Sequence, residues 1–353
     1  MKKIKKILIL RLSAIGDTIH TLPMIAAIKK SYPDCEIGWV VEDKAELFVK
    51  DNPLVDYCYV LPKKIWKSRF APFKDAKEFL QIVKEINFQK YDAVIDTQQL
   101  FKSAFILPFL NIKRKITLTG GREFSWIFSN EWVKSSHKLF DKSYHVVMRN
   151  LELARYLGAD ADSIDFVLKE PSDAIKKRVA TLLHGLDASL PTVVLAPSTT
   201  WRNKHWPEEY WAQVLDFLDG KVNIIFTGME SDMALIGRIF ALAKAKEARI
   251  LAGETNLEEL AEVFRHADAV VSPDSGSAHI AWAVSKPFVL TIFTATAAGR
   301  NAPFGPKCTA LTPMINCYPC MRKRCGQPKG RENICATFIK PQEVIDVLTQ
   351  VLG

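Results

Sequence analysis

The residues best suited to chemistry lie in short polar loops that follow apolar runs of the chain. Asp17 ends the first of these loops, just after the run at residues 6–11. A carboxylate is ionised near neutral pH and accepts the proton of a hydroxyl within hydrogen-bond reach. Aspartate is also common at helix N-termini, where it caps the first turn. The residue type therefore allows a general base at Asp17 and, taken alone, favours a cap.

A second loop combines hydroxyls with a cation. Thr199, Thr200 and Lys204 lie between a predicted buried strand and a predicted helix. Hydroxyls and an ammonium group at a helix entrance suit a diphosphate, because they donate to its oxygens and balance its charge. The alternative is that the two threonines only shape a turn.

A third loop places small residues at another strand-to-helix turn. Ser275, Gly276 and Ser277 allow backbone N–H groups to approach a phosphate closely, and Asp274 and His279 flank them. Asp274 is also a candidate helix cap, and the two roles are compatible. This loop predicts a second part of an anion site.

Two further carboxylates, Glu230 and Asp232, follow a different predicted strand. A carboxylate in this position holds ribose hydroxyls in dinucleotide sites. Either residue could instead face the positive end of a helix dipole. The sequence does not show whether Glu230 or Asp232 would hold the ribose.

Four cysteines are concentrated near the C-terminus, at Cys317, Cys320, Cys325 and Cys335. Four thiolates suit a structural zinc or iron ion. A catalytic metal is not expected, because four protein ligands leave no open position, and no cofactor is required for chemistry. Reduced thiols and disulfides remain alternatives.

Parallel strands must position these loops, because short β-branched runs alternate with helical patterns. Ligands of open parallel sheets bind at the carboxyl ends of the strands, where such loops lie. The predicted strands of the first half are at residues 6–11, 36–41, 57–60, 93–96 and 115–118, and those of the second half at 192–195, 223–227, 249–251, 269–271 and 288–291.

A length of 353 residues predicts two α/β domains. We place an N-terminal domain at residues 1–160 and a C-terminal domain at 161–340, which includes a cysteine-rich segment at 308–335. Residues 341–353 form a predicted helix with an apolar stripe. We expect this helix to pack back on the N-terminal domain.

The charge of the chain indicates an acidic partner. The net charge is +9 and the isoelectric point about 9.1, which suits a phosphorylated substrate, an anionic membrane surface or nucleic acid. The apolar run at residues 7–10 is too short for a signal sequence or membrane span, so a cytoplasmic location is expected. The sequence contains neither a Walker phosphate loop nor a Gly-x-Gly-x-x-Gly motif, which argues against an ATPase or an NAD enzyme.

The run RLSAIGDTIHTLP at residues 11–23 resembles the opening of the lipopolysaccharide ADP-heptose heptosyltransferases of glycosyltransferase family 9. Residues 199–207 and 274–279 resemble the same family. The resemblance implies a glycosyltransferase B fold, in which two Rossmann-like parallel-sheet domains face a cleft. It also implies an inverting enzyme that moves heptose from ADP-heptose to the Kdo-containing inner core of lipopolysaccharide, with Asp17 as general base.

The family pattern assigns further residues by matching positions. The donor contacts implied are Thr199, Thr200, Lys204, Glu230, Asp232, Asp274, Ser275, Gly276, Ser277 and His279. The acceptor contacts implied are Ser13, Gly16, Lys64, Lys67, Gln98, Lys102 and Arg122. His145 also matches a family histidine, with a satisfied helix histidine as the alternative. The family usually has a Gly-Pro-Thr turn where this chain has residues 293–300, so the adenine contacts stay open.

The implied partners are ADP-heptose, Kdo-lipid A and the inner-membrane surface, to which a cytoplasmic enzyme would bind peripherally. Nucleic acid is not expected on this interpretation. Within the same family the alternative acceptors are a second core heptose, an O-antigen sugar or a protein side chain. The positive charge and the cysteines also suggest a different class, a metal-stabilised nucleic-acid-binding protein.

Overall fold

The computed structural model describes residues 4–63, 72–138 and 141–353. The chain divides into two compact units, residues 1–169 and 170–353. Each unit contains a six-stranded sheet, and all paired strands in both sheets are parallel.

The first unit has the strand order β3-β2-β1-β4-β5-β6. Its strands are β1 Lys6–Leu10, β2 Glu36–Glu42, β3 Tyr57–Leu61, β4 Ala93–Asp96, β5 Arg114–Leu118 and β6 Glu131–Val133. Its α-helices in the described ranges are α1 Ile15–Ile19, α2 Leu22–Ser31, α3 Pro72–Phe88, α4 Phe101–Ala104 and α5 Val146–Tyr156. Short 3₁₀ helices lie at Asp43–Phe48, Leu107–Phe109 and Ser125–Phe128.

The second unit has the strand order β12-β11-β10-β7-β8-β9. Its strands are β7 Thr192–Leu195, β8 Asn223–Phe226, β9 Arg249–Ile250, β10 Ala269–Pro273, β11 Phe288–Ile292 and β12 Cys308–Leu311. Its α-helices are α6 Asp173–Leu182, α7 Glu208–Leu218, α8 Met233–Leu242, α9 Leu257–His266, α10 Gly276–Val284, α11 Ala298–Asn301 and α12 Pro341–Leu352. Short 3₁₀ helices lie at Arg202–Lys204, Glu230–Asp232 and Ile334–Phe338.

The central strands are buried on both faces of each sheet. Ile7, Leu8, Ile9 and Leu10 of β1 are consecutive, so they point alternately to opposite faces, and all are fully buried. Such strands lose the alternation of apolar and polar residues. The polar residues of these strands therefore concentrate at the carboxyl ends, where the loops begin.

The predicted α/β fold class is confirmed, and every predicted strand is present. The sequence did not predict β6 or β12, which are edge strands of the two sheets. β6 has only three residues, and all four residues of β12 are half-buried. Short, partly exposed edge strands carry little hydrophobic pattern, which explains why they were missed.

The last helix, which was expected to pack on the N-terminal domain, has its apolar stripe in the core of the second unit. Val344 and Leu348 of α12 lie in the apolar core of the second unit, where the helix contacts α7 and β11. Trp206 donates a hydrogen bond of 3.0 Å to the carbonyl of Ile339, just before α12. Because this bond fixes the start of the helix beside α7, its apolar stripe is buried within its own unit.

The helical region that follows β1 consists of two helices. α1 ends at Ile19, and α2 begins at Leu22 with Pro23 in its first turn. Proline has no N–H to donate and its fixed φ suits the start of a helix, so a new helix begins there. Among the described helices, none combines the length and apolar character needed to cross a bilayer.

Candidate active site

Asp17 lies in the first turn of α1, immediately after β1. One carboxylate oxygen, Oδ2, accepts a hydrogen bond of 3.3 Å from the backbone N–H of Ala14, and the other lies 3.5 Å from the guanidinium of Arg11. The Asp17 side chain is 45% exposed. Both interpretations of this residue are therefore compatible, since the carboxylate caps the helix and still reaches solvent.

Arg11 is a buried anchor for this loop. Its side chain is only 6% exposed, and it donates to the carbonyls of Asp17 at 3.3 Å and Thr97 at 3.0 Å. A guanidinium that bridges two loops holds both in one geometry. Arg11 begins the motif at residues 11–23, but the sequence did not predict this role.

Gln98 also holds the loop that leads from β1 to Asp17, which we call the Asp17 loop. Its side-chain carbonyl accepts hydrogen bonds from the backbone N–H groups of Leu12 at 2.7 Å and Ser13 at 3.2 Å. The side chain is buried, and its oxygen supports the loop that follows β1; contact of Gln98 with an acceptor stays a prediction.

Lys102 has a structural partner that the sequence did not reveal. Its ammonium group donates to the hydroxyl of Ser13 at 2.6 Å and to the carboxylate of Glu42 at 2.9 Å. The Glu42 side chain is 4% exposed, and a buried carboxylate requires such a partner. Glu42 ends β2, and β2, β1 and β4 are neighbours in the sheet, so loops from three strands meet at Ser13.

The other predicted acceptor residues are placed in different ways. The carbonyl of Gly16 accepts the N–H of His20 within α1, while Arg122 is exposed and its N–H donates to Gln99. His145 is buried and its Nδ1 accepts the N–H of Val147 as the N-cap of α5, which favours its structural interpretation. Lys64 and Lys67 lie outside the described residues.

Asp274 is the centre of a buried polar cluster at the carboxyl end of β10. One carboxylate oxygen lies 2.6 Å from the Lys204 ammonium, and the other lies 3.5 Å from Nε2 of His279. The hydroxyl of Thr199 donates a hydrogen bond of 3.1 Å to the Asp274 backbone carbonyl. The Lys204 and Asp274 side chains are 12% and 7% exposed, so this is a desolvated ion pair.

The surroundings of Asp274 keep it ionised. Burial alone would raise its pKa, but the hydrogen bond with His279 and the positive charge of Lys204 outweigh burial and lower the pKa below its usual value. The cluster therefore presents a fixed negative charge at the entrance to α10, with a lysine ammonium beside it.

Residues of the segment that follows β11 enter the cluster. Thr296 donates a hydrogen bond to the same Asp274 oxygen that faces Lys204. The Thr294 hydroxyl donates a hydrogen bond of 2.7 Å to the carbonyl of Asn203. β11, β10 and β7 are adjacent strands, so their three loops converge here.

The cysteine-rich segment packs against this turn. The Tyr318 hydroxyl accepts the N–H of Ala298 at 3.1 Å, and the N–H of Met321 donates 2.9 Å to the carbonyl of Ala295. Burial raises the pKa of Tyr318, and the negative charge of Asp274 adds to this shift. Tyr318 and Thr296 are site residues that sequence reasoning missed.

The remaining donor-side residues differ in their surroundings. Thr200 and Glu230 are exposed, and the hydroxyl of Ser275 lies 2.8 Å from that of Ser272. Asp232 accepts the N–H of Met229 at 2.8 Å, so it acts as a local cap. Gly276 and Ser277 open α10 and are half-buried.

The family model of glycosyltransferase family 9 (heptosyltransferase) matches residues 79–330. The chain belongs to glycosyltransferase family 9. Lipopolysaccharide heptosyltransferase 1 of Pseudomonas aeruginosa is 28% identical over 364 residues, an alignment that covers 98% of each chain. The predicted enzyme class, a glycosyltransferase, is therefore confirmed.

Solved structures of glycosyltransferase family 9 share the fold. The Veillonella parvula family 9 protein matches with a TM-score of 0.82 and 19% identity, covering 99% of this chain and 97% of that one. Escherichia coli heptosyltransferase WaaC with ADP matches with a TM-score of 0.72 and 24% identity, covering 98% and 99%. WaaC was also solved with ADP-2-deoxy-2-fluoro heptose. The predicted glycosyltransferase B fold is confirmed.

The cysteine cluster of this family 9 chain does not fit the structural metal site suggested by its spacing. All seven cysteines are free thiols. Burial raises the pKa of Cys335 to about 11, and the nearby Cys317, Cys325 and Cys320 add to the shift. Within the described ranges no group of three or more His, Cys, Asp or Glu side chains is arranged to hold a metal ion. The thiols are therefore near each other without a ligand geometry.

Proposed function

We propose that this family 9 enzyme transfers heptose from ADP-heptose to the Kdo-containing inner core of lipopolysaccharide, with inversion at the anomeric carbon. The observation that carries the proposal is the buried cluster of Asp274, Lys204, Thr199 and His279 at the carboxyl ends of β10 and β7. Parallel α/β sheets bind nucleotides at this edge. WaaC has been solved with ADP and with a fluorinated ADP-heptose, which supports an ADP-sugar donor.

The buried cluster around Asp274 contains opposite charges, which suit the sugar and the diphosphate of the ADP-sugar. The Asp274 carboxylate is suited to accept hydrogen bonds from sugar hydroxyls. Lys204 and the N–H groups at the start of α10, from Gly276 onwards, suit the diphosphate, whose negative charge grows as the bond to the sugar breaks. Lys204 is 4.7 Å from the centre of the Trp201 ring, so packing limits the positions of its ammonium group.

Asp17 is the proposed general base. The acceptor hydroxyl oxygen forms a bond with the anomeric carbon, the bond from that carbon to the β-phosphate oxygen breaks, and ADP leaves with the bonding electrons. The proton of the hydroxyl passes to the Asp17 carboxylate. The partial exposure of this side chain allows the approach of an acceptor.

The proposed acceptor is Kdo-lipid A, and the chain would reach it as a peripheral protein at the cytoplasmic face of the inner membrane. The net charge of +9 supports an anionic acceptor and membrane surface. Lys102 and Ser13, which contact each other at 2.6 Å, and the exposed Arg122 are proposed acceptor contacts. The proposal requires no cofactor for chemistry.

The deciding experiment measures ADP release from ADP-heptose with a panel of acceptors: Kdo-lipid A, core sugars that already carry heptose, O-antigen sugars and a peptide. We expect turnover with Kdo-lipid A. Asp17→Ala should lower kcat by about 10² to 10⁴ and leave the Kd for ADP within about twofold, because the base acts only in the chemical step.

Asp173→Ala is the matched control, since Asp173 occupies the first turn of α6 as Asp17 does in α1. Its kcat should equal that of the unmodified enzyme. Turnover only with another member of the panel would identify that molecule, and not Kdo-lipid A, as the acceptor. A fully active Asp17→Ala variant would show that Asp17 is not the general base.

A further inference from the structure

The first unit has an exposed aromatic surface that the proposed chemistry does not use. It consists of side chains between 39% and 72% exposed, namely Phe101, Phe105, Phe109, Phe124, Trp126, Ile127 and Trp132. We call these seven residues the aromatic surface. Exposed apolar groups of this size concentrated in one region mark interaction sites.

The aromatic surface is continuous. The Phe105 ring centre lies 5.9 Å from that of Phe101 and 5.4 Å from that of Phe109. The N–H of Phe101 donates 3.0 Å to Glu123, which precedes Phe124. The indole N–H of Trp132 donates 3.0 Å to the carbonyl of Trp126, which joins β6 to the 3₁₀ helix Ser125–Phe128.

Fold stability does not explain the presentation of Phe124. This residue has φ of +55° in the left-handed region, and its side chain is 72% exposed. A bulky residue in that region is strained, and an exposed phenylalanine gains little from burial to offset the strain. The local backbone therefore holds a phenylalanine outward where glycine or asparagine would be favoured.

The segment that carries the aromatic surface has an excess of positive charge. Residues 101–142 contain eight Lys and Arg and only three Asp and Glu. One of the acids, Glu131, is paired with Arg114 at 2.7 Å. Lys113 and Lys134 are exposed. Phenylalanine and tryptophan beside lysine and arginine are the side chains enriched at membrane interfaces.

We propose that the aromatic surface inserts into the headgroup region of a bilayer rich in anionic lipid and so places the Asp17 loop at the membrane. This inference rests on the proposed function, whose acceptor is a sugar carried by a lipid. Lys102 lies next to Phe101 in α4, and its ammonium contacts Ser13 of the Asp17 loop at 2.6 Å. The membrane-binding residues and the proposed acceptor contacts therefore share one helix.

A bilayer fits the aromatic surface better than a second copy of this chain. Two copies that met through this surface would bring together two regions with the same excess of positive charge, which is unfavourable. Anionic lipid headgroups instead neutralise that charge, because they attract each lysine and arginine near the surface.

The test is co-sedimentation of the full chain with vesicles of phosphatidylethanolamine and phosphatidylglycerol in a ratio of about 3 to 1, and with vesicles of phosphatidylcholine alone. The surface variant is Phe101→Ser/Phe124→Ser/Ile127→Ser. Its binding to anionic vesicles should fall at least about tenfold, because membrane affinity scales with the apolar area inserted. The matched control is Leu242→Ser/Met314→Ser/Phe338→Ser, which changes exposed apolar residues of the second unit.

Charge is tested separately with Lys113→Glu/Lys134→Glu, which should weaken binding to anionic vesicles and leave phosphatidylcholine binding unchanged. Brominated lipids should quench Trp126 and Trp132 fluorescence, and the quenching should decrease in Trp126→Phe/Trp132→Phe. The thermal midpoint of each variant, compared with the unmodified chain, shows that it is folded.

Three results would overturn the inference: no vesicle binding by the unmodified chain, equal binding by the surface variant, or a dimer that only the surface variant dissociates. The vesicles contain neither donor nor acceptor, so failure of heptose transfer does not affect this outcome. Conversely, the surface variant could turn over a lipid-free Kdo acceptor normally and also bind vesicles normally. That result would reject the membrane-binding role of the aromatic surface and leave the proposed enzyme activity supported.

Discussion

Thr296 donates a hydrogen bond to the Asp274 carboxylate oxygen that also lies 2.6 Å from the Lys204 ammonium. Thr296 belongs to the segment that follows β11. This segment therefore supplies a donor to the central carboxylate of the candidate donor site. A buried carboxylate held by a hydroxyl, an ammonium and an imidazole has little freedom to reorient.

The first prediction concerns that hydroxyl. Thr296→Val keeps the shape of the side chain and removes one donor from a buried charge, so it should lower the free energy of unfolding by about 1 to 3 kcal/mol. It should also lower kcat/KM for the ADP-sugar, because the carboxylate gains freedom. Urea unfolding and steady-state kinetics measure the two effects.

Thr294→Val is the matched control for Thr296→Val, since the Thr294 hydroxyl donates to a neutral carbonyl, that of Asn203. Its effect should be smaller, about 0.5 to 1.5 kcal/mol. A larger effect for Thr294→Val than for Thr296→Val would show that the charge of Asp274 does not make the Thr296 bond important.

The second prediction concerns the ion pair of Lys204 and Asp274. Lys204→Met leaves a buried carboxylate without its counter-charge and should lower the free energy of unfolding by about 3 to 5 kcal/mol. The low pKa of Asp274 adds stability above the ordinary aspartate range, and that stability is lost as pH falls through the lowered value. In Lys204→Met the pKa should rise towards or above the ordinary aspartate value, so this stabilisation shrinks or disappears.

The double variant Lys204→Met/Asp274→Asn tests the origin of that effect. It should be more stable than Lys204→Met, because the unpaired charge is gone. The test compares the unmodified chain, Lys204→Met, Asp274→Asn and the double variant. Their unfolding midpoints are measured between pH 4 and pH 8. A double variant that is no more stable than the single lysine variant would show that burial of charge is not the cause.

Much of the fold was predictable because its signals are local. Residues 7–10 of β1 and 269–271 of β10 are buried and form continuous apolar runs, and Pro341 marks a helix start. The packing partner of α12 was not predictable. Its stripe specifies that an apolar face must be buried, and the partner depends on distant contacts such as the bond from Trp206 to Ile339.

The site was predictable in part for the same reason. The turn at Asp274 and the lysine at Lys204 stand out by their positions after strands. Glu42, which meets Lys102, ends a strand with no motif of its own, and the two residues are 60 positions apart. Only the strand order brings β2, β1 and β4 together, and no residue pattern near Glu42 carries that information.

The third prediction separates support from acceptor binding at Lys102. Lys102→Met leaves the buried Glu42 unpaired and should lower the free energy of unfolding by about 3 kcal/mol or somewhat less, because the lysine is 28% exposed. Lys102→Met/Glu42→Gln should recover most of that stability. If Lys102 also contacts the acceptor, the double variant keeps a raised KM for the acceptor despite its recovered stability. A normal KM in the double variant would assign Lys102 to support alone.

The fourth prediction concerns Asp96 at the end of β4, which is fully buried. Burial raises its pKa to about 6, although hydrogen bonds from Gln99 and Gln98 partly oppose the shift. Because the folded value lies above the unfolded value of 3.8, ionisation costs stability: the penalty is absent below about pH 4 and complete above about pH 6. Two pKa units correspond to about 3 kcal/mol.

Asp96→Asn removes that charge and keeps the oxygen that accepts the N–H groups of Gln98 at 3.0 Å and Gln99 at 3.2 Å. The variant should therefore be more stable than the unmodified chain by about 1 to 3 kcal/mol at pH 8, with no difference near pH 4. Urea unfolding at intervals between these pH values measures the slope. Asp92→Asn is the control, because Asp92 also accepts two backbone N–H groups but is exposed. A stability difference for Asp96→Asn that is the same at every pH would attribute it to packing and not to charge.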